Sequence, residues 1–164
     1  MAEELKFIPL SPAYDAALAS IIRGRLKEHH LDIPGTAYFD RELDHLSSFY
    51  DRPGRAYFVL LEGIEVTGGI GLAEFDGLPA CCELQKLYLK KEAEGSGLGY
   101  RMIALIEEQA RSMGYRRIYL ETHTNLPAAI HEYEASGYTL IDPPANVVHS
   151  TMNRFYLKEL LKNK

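Results

Sequence analysis

Between Lys90 and a helical pattern that opens near Gly97, the chain reads Glu94-Gly95-Ser96-Gly97-Leu98-Gly99. Glycines let a backbone turn sharply and bring its N–H groups close to a guest. The unpaired amides of the next helix's first turn, together with its dipole, make that guest an anion. A diphosphate is the natural fit. A Walker A loop would end in Gly-Lys-Ser/Thr, yet Tyr100 follows Gly99. A dinucleotide fingerprint would carry glycine at position 100, usually after the first strand of a βαβ unit; here Tyr100 stands there, late in the chain and after a hairpin. Taken alone, the motif leaves open an ordinary glycine-rich turn with no guest.

The surrounding pattern supplies a scaffold. Leu5 to Leu10 reads as a strand, and Ser11-Pro12 as an N-cap followed by proline at the first helical position. Leu18, Ile21, Ile22, Arg25 and Leu26 recur at helical spacing, which predicts a helix to about His29. A second helix is expected over 40–50, ended by Pro53-Gly54. Strands follow at 55–62, 66–75 and 80–90, the last two joined at Asp76-Gly77. The glycine turn then leads into a helix from 97 to 113, with Met102, Ile103, Ile106 and Ala110 on one face and Gly114 as C-cap. A strand at 117–122, a short helix at 127–136 and closing strands at 138–141 and 152–160 complete one mixed α/β domain over residues 1–164.

Composition narrows the partners. The 164 residues carry 18 basic and 23 acidic side chains, a formal charge of -5, with no Lys/Arg run. Nucleic-acid affinity rests on clustered cations, so none is expected. No stretch approaches the roughly 18 apolar residues of a membrane span, and Met1 to Leu10 lacks the apolar core of a signal peptide. Cys81 and Cys82 are adjacent and poorly placed to bridge each other. They read as reduced thiols of a cytoplasmic protein, and no Cys/His spacing suggests a metal.

Gly95-Ser96-Gly97-Leu98-Gly99, following the strand Glu83-Leu84-Gln85-Lys86-Leu87-Tyr88-Leu89, resembles the acetyl-CoA site of the GNAT superfamily of N-acetyltransferases. That signature runs Gln or Arg, two residues, Gly, one residue, then Gly or Ala. Gly97 and Gly99 match it, and Glu94 departs from it. A carboxylate at 94 would repel the diphosphate, so it is expected to point away and leave the backbone amides to hold the anion. Asn125 to Tyr138, with Ala128, Tyr133-Glu134 and Gly137-Tyr138, resembles the family's second segment. The similarity covers residues 83–140 and is topological before that.

The resemblance implies a mostly antiparallel sheet with a central splay, in the order β-α-α-β-β-β-α-β-α-β-β. Strand 83–89 would part from strand 117–122, and pantetheine would pair with Leu87, Tyr88 and Leu89 like an added strand. The Leu89 amide would steady the oxyanion. The cofactor contacts implied are Glu94, Gly95, Ser96, Gly97, Leu98, Gly99, Tyr100, Asn125 and Ala128. Tyr133 takes the place of the family's general acid, and Glu83 that of a carboxylate base, with a water chain as the alternative.

The acceptor site is expected from residues 25–50 and the Pro143–Thr151 loop, with Arg25, His29, His30, Tyr38, Asp40 and His149 as candidates. Arg25 with the histidines favours a small amine that also bears a carboxylate, such as an amino acid. The expected activity is acetyl transfer from acetyl-CoA to the primary amine of a small molecule, without a metal, by a monomer or homodimer. A CoA-binding sensor of weak activity, and an acetyltransferase of protein N-termini or lysines, are the alternatives.

Overall fold

The computed structural model describes residues 4–145, 147 and 149–160 of the chain. Its strands are β1 (Leu5–Pro9), β2 (Ala56–Glu62), β3 (Glu65–Glu74), β4 (Cys81–Leu89), β5 (Arg117–Thr122), β6 (Thr139–Ile141) and β7 (Arg154–Glu159). The helices are α1 (Asp15–Glu28), α2 (Leu46–Tyr50), α3 (Leu98–Ser112) and α4 (Pro127–Ala135). All seven strands form one sheet in the order β1-β2-β3-β4-β5-β7-β6. Only the β4–β5 pair is parallel; every other neighbour runs antiparallel. The element order follows the expectation from sequence.

Side-chain alternation along the strands assigns the two faces. Ile70 and Leu72 of β3 join Leu60, Leu84, Ile118 and Leu120 beneath Met102, Ile103 and Ile106 of α3. Tyr57 and Ala73 turn the other way, toward Leu18, Ile22 and Leu26 of α1. Each such aliphatic side chain contributes roughly 1.5–3 kcal/mol when fully buried, so the two helices clamp the sheet from both sides.

The sheet parts where it matters. β4 and β5 share three register pairs, Cys81 with Arg117, Cys82 with Ile118 and Glu83 with Tyr119, and no more. Past Glu83, the rest of β4 has lost that neighbour. On its other edge Gly69 faces Tyr88 and Gly71 faces Gln85, so Lys86 and Leu87 both stand opposite Ile70. That is a β-bulge, which bends a strand and sharpens its twist. Lys86 sits at its centre with φ of 52°, in the left-handed region. The Tyr57 ring lies over Gly69 and Gly71, where a side chain on either glycine would collide with it, and its hydroxyl donates to the Lys86 carbonyl at 2.8 Å. The bare backbone of β3 is what lets this tyrosine reach the bulge.

Two local expectations change. Ser11 makes no side-chain cap, and a short 3-10 turn (Pro12–Tyr14) leads into α1. The helix expected over 40–50 shrinks to a 3-10 turn (Leu43–His45) and α2. Its polar residues are engaged elsewhere: Asp40 with Lys86 and His149, and Asp44 with Arg23. Tertiary ion pairs win over the helical propensity of so short a segment.

Candidate active site

The divergence of β4 from β5 leaves a slot of about 70 Å³, with Leu84, Leu87, Tyr88, Ala129 and Tyr133 on its walls. The β4 backbone forms one side and α4 the other. Tyr133 is 6% exposed and packs against the rings of Tyr138 and Tyr156, with centroids 5.9 and 6.4 Å away. Burial pushes its hydroxyl well above the ordinary range, so it keeps its proton at every ordinary pH. Such a group is a proton donor and a poor base.

Glu83 borders this slot and also a second cavity of about 320 Å³ on the α2 side. It is 8% exposed. Its carboxyl is raised from 4.5 to about 7, chiefly by burial and then by the charge of Glu121; a hydrogen bond from Gln85 and the charges of His149 and Lys86 oppose the rise. Gln85 Nε2 donates to Glu83 Oε1 at 2.9 Å, and the Tyr50 hydroxyl donates to Gln85 Oε1 at 2.7 Å. The carboxyl is therefore held in place and titrates near neutrality, the condition for a base working there.

The second cavity is lined by Asp40, Glu42, Glu74 and Asp76 beside Glu83, with Lys86, Arg55 and His149. Arg55 is tied to Glu74 at 2.6 Å and Lys86 to Asp40 at 2.7 Å. His149 Nε2 lies 2.9 Å from Asp40 Oδ1. Burial pulls His149 down, but its hydrogen bond and charge contact with Asp40 outweigh that and leave it above its ordinary value. Asp40 resists burial in the same way and ends lowered. Both shifts favour the charged pair, which fastens the loop of His149 across the cavity to the segment before α2.

At the start of α3, Gly97 holds φ of 81° and caps the helix with no side-chain hydrogen bond, so the first-turn amides of α3 remain available to an outside acceptor. A Cβ built on Gly95 or Gly97 would meet no protein atom within 4 Å. The cradle is open, and its donors suit a diphosphate. Two carboxylates stand close by. Glu94 is paired with Arg25 Nη2. Glu132 lies against Gly99, with Oε2 buried and lacking a hydrogen-bond partner. Burial, then the charge of Glu94, raises its carboxyl above the ordinary value. Asn125 Nδ2 donates to the His29 carbonyl at 3.0 Å, fastening the start of α4 to the end of α1. Leu98 is buried in the core, whereas Ser96, Tyr100 and Ala128 are exposed at the rim. Ser96 donates to the Ala93 carbonyl within the turn.

The fold thus sets an open glycine turn at the start of α3, a parted β4 edge and a buried tyrosine beside that edge. The acetyltransferase (GNAT) family model matches residues 23–138, well over half of the chain. The chain belongs to the GNAT acetyltransferase family. A curated relative, the uncharacterized N-acetyltransferase YjgM of Escherichia coli, is 41% identical over 128 residues, 77% of each chain. Among solved structures, a GNAT acetyltransferase of Staphylococcus aureus superposes with a TM-score of 0.84 at 20% identity, over 96% of this chain and all of that one. PaiA N-acetyltransferase of Thermoplasma acidophilum, solved with coenzyme A, gives 0.76 at 17% identity over 95% and 99%. Membership makes this protein an N-acetyltransferase.

The acceptor candidates named from sequence do not converge. His149 lines both cavities and Asp40 the larger one. Arg25 and His29 stand instead beside the GNAT glycine turn, and Tyr38 packs on Phe39 over the α1 core. Lys86, Gln85 and Glu121 were missed. Lys86 reaches the cavity through the bulge, and periodicity carries no signal for a bulge. Among the described residues no cluster of three or more His, Cys, Asp or Glu is placed to hold a metal, and no helix is long and apolar enough to cross a membrane.

Gly97 offers a direct check on the cradle. A branched side chain at φ of 81° is strained by about 1–3 kcal/mol and fills the space left for an anion. Gly97→Val is expected to weaken coenzyme A binding by about tenfold or more, read by calorimetry. Unaltered affinity would remove the turn from the cofactor site.

Proposed function

We propose that the protein transfers the acetyl group of acetyl-CoA to the primary amine of a small cationic acceptor, by direct attack while both are bound. The observation that carries this reading is Glu83, which borders the slot and the acidic cavity at once. Acetyl-CoA supplies an activated acetyl group and a thiolate leaving group. The open edge of β4 at Leu87 to Leu89 offers main-chain partners for its pantetheine arm, and the amides of Gly95 to Gly99 suit its diphosphate. An amide of the bulged strand, with Leu89 the residue favoured, turns toward the developing oxyanion. The amine enters as an ammonium ion drawn by Asp40, Glu42 and Asp76. The Glu83 carboxylate takes its proton, and the free amine attacks. The Tyr133 hydroxyl gives its proton to the sulfur as the thioester C–S bond breaks and regains one from the attacking nitrogen as the amide forms. The products are the amide and the free thiol, and Glu83 returns its proton to solvent. A compartment supplied with acetyl-CoA, the cytoplasm, suits this reaction.

A carboxylate-bearing acceptor rested on Arg25 with the histidines, and Arg25 is engaged at the glycine turn. The cavity itself holds more carboxylates than cations. A like charge brought within several ångströms of that lining loses about tenfold or more in kcat/KM relative to a cation. In a thiol-release assay over an amine panel, short diamines are accordingly expected to exceed α-amino acids by at least that factor. Amino acids outpacing diamines would overturn the acceptor reading. Cofactor binding with no turnover on any small amine, peptide or protein would favour a CoA sensor.

A further inference from the structure

The family's diphosphate signature begins with Gln or Arg, and this chain has Glu94 there. Three features show how the fold accommodates the acid. Arg25 sits in the last turn of α1 at a position of the helix's buried face, in register with Leu18 and Ile22. It is 7% exposed, although it is a cation. Its two terminal nitrogens are divided: Nη1 donates to Glu28 Oε2 at 2.6 Å, while Nη2 donates to Glu94 and lies 3.3 Å from His29 Nε2. The α1 helix and the glycine turn are 69 residues apart in sequence, so this is a tertiary clasp and not a local pair.

We infer that Arg25 is the counter-charge that makes the glycine turn competent for a diphosphate, acting by neutralising Glu94 and holding its carboxylate off the amides of Gly95 to Gly99. Where the family's motif carries Gln or Arg, the cation is here supplied by α1. Without it, Glu94 and Glu28 would both stand unneutralised beside the cradle, with Glu132 against Gly99 adding a third acidic group. A diphosphate entering that field would be repelled. With Arg25 present, the amides and the α3 dipole face the anion against a weakened opposing charge. Arg25 is thus a positioning residue, and its importance depends on Glu94 being an acid.

That dependence gives the test, which rests on the glycine turn being the diphosphate site. Coenzyme A binding is measured by calorimetry, and pantetheine binding by ligand-observed NMR, for the wild type, Arg25→Gln, Glu94→Gln and the double variant. Each protein is also checked for a cooperative melt. Arg25→Gln is expected to weaken coenzyme A about tenfold or more, and the double variant to return to within about threefold of the wild type. Pantetheine, which lacks the diphosphate, is expected to bind all four alike. Glu94→Gln alone is expected to tighten coenzyme A severalfold, because Arg25 keeps Glu28 as its partner and sheds an opposing charge. This arm decides the matter even if Arg25→Gln does not fold. Equal weakening of both ligands, no recovery in a folded double variant, or unchanged or weaker coenzyme A binding by Glu94→Gln would overturn the inference. A wild type that binds pantetheine but gains nothing from the diphosphate would overturn the site assignment and the inference together.

Discussion

Tyr133→Phe lowers kcat by on the order of a hundredfold or more while coenzyme A affinity stays within about twofold. The expectation follows from where the hydroxyl is held. The ring is fixed between Tyr138 and Tyr156, so phenylalanine keeps the packing and loses only the oxygen. Burial has already placed the hydroxyl far from ionisation, so its only proton chemistry at neutral pH is donation. A thiolate expelled into a buried slot gains most from such a donor, because water is scarce there. Single-turnover thiol release, with binding measured in parallel, separates the two quantities. A full rate in the variant would remove Tyr133 from the reaction, and an equal loss of rate and binding would make it a structural residue.

Glu83→Gln is expected to cut kcat/KM by on the order of a hundredfold near pH 8 and to abolish the acid limb of the wild-type profile. The sign follows from the raised carboxyl. In the wild type the base is protonated below about pH 7 and ionised above it, so activity climbs through that value. Stability moves in the opposite direction. The folded carboxyl titrates near 7 against an ordinary 4.5, so the folded state holds this proton more tightly than the unfolded chain does. The favourable contribution is complete below about 4.5 and is lost as pH rises through about 7. Above that pH the wild type carries a buried charge that glutamine lacks, and the variant is expected to be more stable by about 1–3 kcal/mol. Below pH 4.5 the two should melt alike. A rate profile that keeps its acid limb in the variant would assign the proton transfer elsewhere, with a water chain the first candidate.

Much of this molecule is legible in its sequence because the strongest signals are local. The α3 stripe at Met102, Ile103, Ile106 and Ala110 marks a helix on a sheet, and Gly114 marks its end. The glycine turn announces an anion by backbone chemistry alone. The parting of the sheet could be stated in advance only through resemblance to a family, since no periodicity encodes the loss of a neighbour strand. The acceptor side was harder. Asp40 and Asp44 look like helix residues until their partners Lys86 and Arg23 arrive from distant segments. Arg25 carried a usable clue, a charged residue on the apolar stripe of α1, which demands an acid within reach. Glu94, the one departure from the motif, is one of its two acidic partners.

The three-pair seam between β4 and β5 has a consequence for how this protein lives among others. Unsatisfied strand backbones usually invite a neighbouring molecule to zip onto them, which is how sheets aggregate. Here the bare stretch beyond Glu83 lies recessed, with α4 across a gap of about 70 Å³. A second polypeptide ribbon, with side chains on both faces, is too bulky to enter. A single slender arm is the guest that suits it. The fold thereby keeps a sticky edge permanently on offer while admitting only thread-like visitors.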